Sequence, residues 1–237
     1  MNAFFDEMMA HAAETHPHEA CGLVVSAGRK HRLLRGLNIS EEPRTTFALD
    51  PAVWLEVGDN EAVIGVYHSH CDVPATPSMA DRSSCEASGL PWHIVSYPSG
   101  GYQRIEPNGF RAPYLKRPYV HAIHDCYAIV RDWYNWEWNL GLPDFERDFQ
   151  WWEKGQNLYI ENFEKCGFVQ LVDVPPKAGD AFLIQMHSSV PNHAAIYLGD
   201  GTILHHVQGR LSTKDPWGGM WEKHAVCHLR HNSRLGT

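Results

Sequence analysis

The spacing of apolar and polar positions changes several times along this chain, and each change marks an element. Residues 2–15 carry apolar side chains at helical spacing and stop at His16-Pro17, so they predict an amphipathic helix. CGLVV (21–25) and HRLLRGLNI (31–39) read as strands, followed by the polar loop SEEPRTTF. A short helix is expected within 50–60, after Asp50-Pro51. EAVIGVYHSH (61–70) predicts a strand, because its apolar run is short, β-branched and ends in polar residues. The loop DVPATP leads into SMADRSSCEAS, which reads as a helix; WHIVSYP and GYQRIE then read as strands around Ser99-Gly100-Gly101.

From Pro107 to Pro118 the periodicity dissolves into PNGFRAPYLKRP, whose prolines, glycine and basic residues predict a linker at 108–118. DCYAIVRDWYNWEWN then predicts a helix, and WWEKGQNLYIENFEKCG (151–167) a second one ending at its glycine. The remainder is strand-rich: DAFLIQM, HAAIYL, TILHHV and HAVCHLR. The pattern predicts two α+β domains, 1–107 and 119–237.

Composition narrows the class. Apolar residues make up 43% of the 237, enough for packed cores and too many for a disordered chain. The formal charge of −8 removes the basic footprint that nucleic acid needs, so no nucleic-acid partner is expected. The N-terminal stretch lacks the build of a signal peptide, and no apolar run reaches spanning length. A soluble protein made in the cytoplasm, without membrane insertion, is the expectation. The six cysteines (21, 71, 85, 126, 166 and 227) form no CxxC pair and suit reduced thiols better than a disulfide scaffold. The tryptophans at 133, 136, 138, 151 and 152 are expected to serve packing.

Two constellations carry candidate chemistry. His68 and His70 stand two apart on an extended segment, so both imidazoles project to one side. Asp81, one turn into the following helix, can complete three N and O ligands, the donor set of a catalytic zinc site with one open position. Such ligands accept other divalent ions as well. Ser78, three residues earlier, can donate a hydrogen bond to a developing oxyanion, although Ser78-x-x-Asp81 is also a helix-cap pattern. Glu19, at the start of the CGLVV strand, is available as the general base for water attack. Glu19, the HSH…S-x-x-D run and the order of elements around them resemble the JAMM (MPN+) metallopeptidases. That resemblance implies a cytidine-deaminase-like mixed sheet with flanking helices and a zinc ion (Zn2+) held by His68, His70 and Asp81. It further implies Glu19 as base, Ser78 as oxyanion support, and an isopeptidase that acts on ubiquitin-like proteins.

The second constellation begins at Cys126, which follows Asp125 at a helix start. A helix dipole and a nearby imidazolium would lower its thiol pKa. His193 opens a strand, and His205 follows across the Gly199-Asp200-Gly201 turn. A three-residue loop there turns His205 toward the side of His193, whereas a two-residue turn would put His206 there instead. The Asp-Cys helix start, the strand-leading His and the later polar residue resemble the NlpC/P60 cysteine peptidases. A papain-like fold, His205 as third member and cleavage of peptidoglycan stem peptides are implied by that resemblance. One departure is Tyr127, where the family usually has a small residue, and it predicts an altered groove beside the thiol.

The two domains together, with HEACG (18–22), DCYAIVRDWY (125–134), LPDFERD (142–148), WWEKG (151–155) and HHVQGRLS (205–212), resemble the tail tip assembly proteins of lambda-like siphophages, the K type. This resemblance implies phage tail tip proteins as partners, one of them with a ubiquitin-like part. Work in the host cytoplasm during assembly, or a place in the virion tail tip, goes with it. Its alternatives are a structural tail-hub component, or a delivered peptidoglycan hydrolase in which the zinc domain is a scaffold.

Overall fold

The computed structural model describes residues 3–236, and the chain divides after Arg111 into two compact units. In the first, helix α1 (Ala3–Thr15) precedes strands β1 (Cys21–Ala27) and β2 (Lys30–Gly36). A 3-10 turn (Pro51–Glu56), strand β3 (Ala62–Cys71), helix α2 (Met79–Ser88) and strands β4 (Trp92–Tyr97) and β5 (Tyr102–Ile105) come next. The sheet order is β2-β1-β3-β4-β5. All pairs are antiparallel except β3 with β4, which α2 joins as a crossover. Strand alternation sorts the core into two layers. Val24, Tyr67 and Val95 meet Met8 and Ala12 of α1, while Leu23, Val66 and Trp92 meet Cys85 of α2 on the opposite face. Since β3 alternates, His68 and His70 lie with Val66 on the α2 face.

The second unit opens with helix α3 (Cys126–Trp138), then the short α4 (Leu158–Asn162), β6 (Phe168–Leu171), β7 (Ala181–Ile184), β8 (His193–Tyr197), β9 (Thr202–His205), β10 (Thr213–Pro216), α5 (Met220–His224) and β11 (Ala225–His231). Its sheet is antiparallel throughout, in the order β10-β9-β8-β7-β11-β6. Ile129 and Val130 of α3 pack with Ala194, Ile196 and Leu204 in the main core of this unit.

One expectation needs correction. Residues 151–167 do not form one helix. The chain makes a 3-10 turn at Trp151–Glu153, leaves it at Gly155 with φ 79°, and forms only the single turn of α4 before β6. Strands β6 and β10 and helix α5 lack a readable apolar period; their neighbours in the fold make them regular. The segment 112–118, within the expected linker, is bonded into the second unit. Arg117 is fully buried, donating to Asp132 at 2.7 Å and to the carbonyls of Ala112 and Pro113, and the backbone of Lys116 and Arg117 bonds Ser212.

Candidate active sites

In the first unit, β1 and β3 run side by side with Cys21 opposite His68, which sets Glu19, two residues before Cys21, at the same end of the sheet. Asn38 anchors that end by donating to the Glu19 carbonyl at 3.1 Å. Asp81 arrives from the first turn of α2. His68 Nε2 and His70 Nε2 are 3.2 Å apart, and they lie 3.2 and 3.4 Å from the two carboxylate oxygens of Asp81. The sequence-derived ligand set is therefore one cluster, and all three side chains are buried.

The cluster fits a divalent cation on its own geometry. The Pro74 carbonyl only accepts, so at 2.8 Å it holds the proton on His70 Nδ1 and leaves Nε2 as the inward donor atom. Donor atoms around a tetrahedral zinc with bonds of about 2.0–2.1 Å lie roughly 3.3 Å apart, close to the spacing found here. Without a cation, two imidazoles and a carboxylate must share protons at that spacing. Phe47 stacks on the His68 ring, centroids 4.6 Å apart, and His68 Nδ1 is buried without a partner. Burial opposes ionisation of Asp81, yet His68 and His70 hold its carboxyl far below the ordinary range. Burial pushes the Glu19 carboxyl up to about 7, against the pull of the two histidines. Glu19 is 5% exposed, so it is a carboxyl withdrawn from water beside this cluster.

Ser78 caps α2. Its Oγ accepts from the Asp81 N–H at 3.0 Å, and its own N–H donates to Asp81 Oδ2 at 2.6 Å, a complete capping box. The cap and the site thus share residues. The hydroxyl oxygen accepts in the cap, and the same side chain helps hold the Asp81 carboxyl ionised.

In the second unit, Cys126 is the first residue of α3 and Asp125 its N-cap, accepting from Ala128 N–H at 2.8 Å. The other carboxylate oxygen takes Arg147 Nε at 2.9 Å. Cys126 and His193 line one cavity of about 230 Å³, together with Tyr119, Trp151, Trp152, Tyr159 and His206. The Leu198 N–H donates to the Thr202 carbonyl and Ala195 lies opposite His205, so the loop holds three residues. That register turns His205 to His193, with Nε2 and Nδ1 3.0 Å apart. His206 projects elsewhere, its Nε2 3.2 Å from the Arg210 carbonyl oxygen.

The resting thiol differs from the expected one. Burial, and then the Asp125 carboxylate, push Cys126 up to about 11, although Tyr159 bonds the sulfur at 3.1 Å. His193 supplies no imidazolium, because burial and then His205 press it down to about 3. Tyr127 also departs from expectation. Its ring packs against Phe145 and under the Arg147 guanidinium, its hydroxyl bonds the Pro143 carbonyl, and it is turned into the core rather than lining the cavity. Two neighbours were missed: Tyr159, hidden in the supposed long helix, and Asp215, 3.1 Å from His205 Nε2 in a strand with no apolar signal.

Two family models match the chain: residues 1–107 match the prokaryotic homologs of the JAB domain and residues 116–230 the NlpC/P60 family. The chain is 36% identical over 234 residues to tail tip assembly protein K of Escherichia phage N15, covering 98% of this chain and 96% of that one. It is 36% identical over 187 residues to the protein of that name from Escherichia phage lambda, covering 78% and 90%. The chain belongs to the tail tip assembly protein K family. The chain is also 35% identical over 82 residues to the CysO-cysteine peptidase of Mycobacterium tuberculosis, covering 31% of this chain and 56% of that one.

Proposed function

We propose that this protein acts in phage tail tip assembly through two peptidase sites. The first is a zinc-dependent isopeptidase or endopeptidase acting on a tail protein. The second is a Cys-His endopeptidase acting on peptidoglycan stem peptides or on a tail protein. The observation that carries the reading is the convergence of His68, His70 and Asp81 from two elements onto one buried point. By this reading those three hold zinc, and the domains are 1–107 and 119–237, with 112–118 packed onto the second. A bound zinc supplies Lewis acidity toward an amide carbonyl and toward water. Glu19 takes a proton from the attacking water and passes it to the leaving amine, a task suited to a carboxyl raised to about 7. Ser78 donates its hydroxyl proton to the developing oxyanion. In the second site Cys126 attacks as its proton moves to neutral His193, which His205 orients.

A tail protein is favoured as the first substrate because the relatives that match most of this chain are named for tail tip assembly. The proposed setting is the host cytoplasm during assembly, with association at the virion tail tip; among the described residues no helix is long and apolar enough to cross a membrane. The test is assembly in a host with Asp81→Ala and Cys126→Ala introduced separately, followed by mass spectrometry of the tail proteins. A tail protein left uncleaved in the Asp81 variant, and restored by the unaltered gene, is expected. Unchanged tail proteins in both variants would overturn the processing role. Zinc near one per chain, lost in His68→Ala, is the accompanying expectation.

A further inference from the structure

Beyond the Cys-His pair, a chain of polar contacts continues through the second sheet. His193 Nε2 lies 3.0 Å from His205 Nδ1, and His205 Nε2 lies 3.1 Å from Asp215 Oδ2. The β9–β10 register explains the last contact. Thr213 is opposite His205 and Asp215 opposite Ile203, so Asp215 shares the face of Thr213 and His205 and leans across to the ring. Trp221 packs edge-on against His205, centroids 4.4 Å apart, and tilted against His193 at 5.7 Å. His205 is fully buried, so water does not compete for its nitrogens.

We infer that Asp215 is a positioning residue that sets the tautomers of His205 and His193 so that His193 presents a bare ring nitrogen to Cys126. This rests on reading the second unit as a thiol peptidase. A carboxylate only accepts, so His205 Nε2 carries the proton it donates. Burial holds His205 below its ordinary pKa despite Asp215, and Arg210 adds to the lowering, so the ring has one proton and its Nδ1 is bare. That nitrogen must accept from His193 Nε2–H. His193 is also neutral, which leaves Nδ1 as its lone-pair nitrogen, on a ring that lines the same cavity as Cys126. Reversing the relay by one proton at each ring would put a hydrogen on Nδ1 and remove the base. The carboxylate makes that reversed state the costly one, since a bare Nε2 would face its lone pairs.

The relay is read out on the whole chain by alkylation of Cys126 with iodoacetamide at pH 7, followed by peptide mass spectrometry. In that step the sulfur–carbon bond forms, iodide leaves, and the thiol proton passes to His193 Nδ1. His193→Ala is expected to slow it about 10²-fold, the lower end of general-base effects. Asp215→Asn, whose amide can donate to His205 Nε2 and favour the reversed relay, is expected to slow it similarly, and Asp215→Glu to restore it within a few-fold. Imidazole 15N spectra of the unaltered protein are expected to show an unprotonated His193 Nδ1, and Asp215→Asn a protonated one. A protonated Nδ1 in the unaltered protein overturns the inference even if every Asp215 variant unfolds. Fast alkylation in Asp215→Asn with slow alkylation in His193→Ala overturns the relay and leaves the thiol-peptidase reading standing. Fast alkylation in His193→Ala overturns both.

Discussion

Asp81 caps a helix and, on the proposed reading, also ligates the metal with the same carboxylate, and substitutions can separate the two. Asp81→Asn keeps an acceptor for the Ser78 N–H but loses the charge that faces His68 and His70. Zinc content near one per chain is expected to become substoichiometric, with little change in thermal midpoint when both proteins are melted in chelator. Asp81→Ala also undoes half of the capping box and is expected to cost about 1 kcal/mol more, measured by the same melts. Asp125 is a different case. It is 3% exposed and paired to Arg147, itself 4% exposed. Asp125→Ala removes the α3 cap and the partner of Arg147 Nε, while Asp144 still pairs the guanidinium at 2.7 Å, and a loss of about 2–4 kcal/mol in urea unfolding is expected.

The β8–β9 hairpin concentrates buried neutral histidines. Burial holds His193 at about 3 and His206 at about 4, and His124, next to the α3 cap, at about 3. Unfolded, each has a pKa near 6.5. A base held below its unfolded value contributes stability that is complete above that value and is lost as pH falls toward the folded one. Between roughly pH 6.5 and 4, each such histidine is expected to remove about 1.4 kcal/mol per pH unit. The second unit is therefore acid-labile before its carboxylates titrate. Urea midpoints at pH 7 and pH 5 measure the slope, and His206→Gln is expected to make it shallower. A pH-independent midpoint would show that these rings are solvated.

Across the whole molecule, the division after Arg111 predicts where the chain can be cut. A fragment of residues 112–237 keeps Arg117 with its bonds to Asp132, Pro113 and Ala112, and is expected to fold. One starting at 119 leaves Asp132 without that partner and Ser212 without its backbone contacts, and is expected to be several kcal/mol less stable or unfolded. Circular dichroism melts of the two fragments compare them directly. The Pro-rich composition of 107–118 marked a break in periodicity correctly, but composition cannot report that a basic side chain within it is buried.

Local order was legible where it rests on a short-range rule. The alternation that sets His68 and His70 on one face of β3, the Ser78 cap and the Asp125 cap before Cys126 all depend on neighbours within four residues. So do the helices of α1, α2 and α3. The features that stayed hidden depend on pairs far apart in sequence. The choice of His205 over His206 was decided by strand register, Asp215 by a register one strand further, and the break at 155 by packing around Trp151 and Tyr159. The state of the Cys126 thiol belongs to the same group. A helix start alone favours the thiolate, while burial beside Asp125 and a neutral His193 reverses that preference, because desolvation acts through the whole fold and outweighs one local dipole.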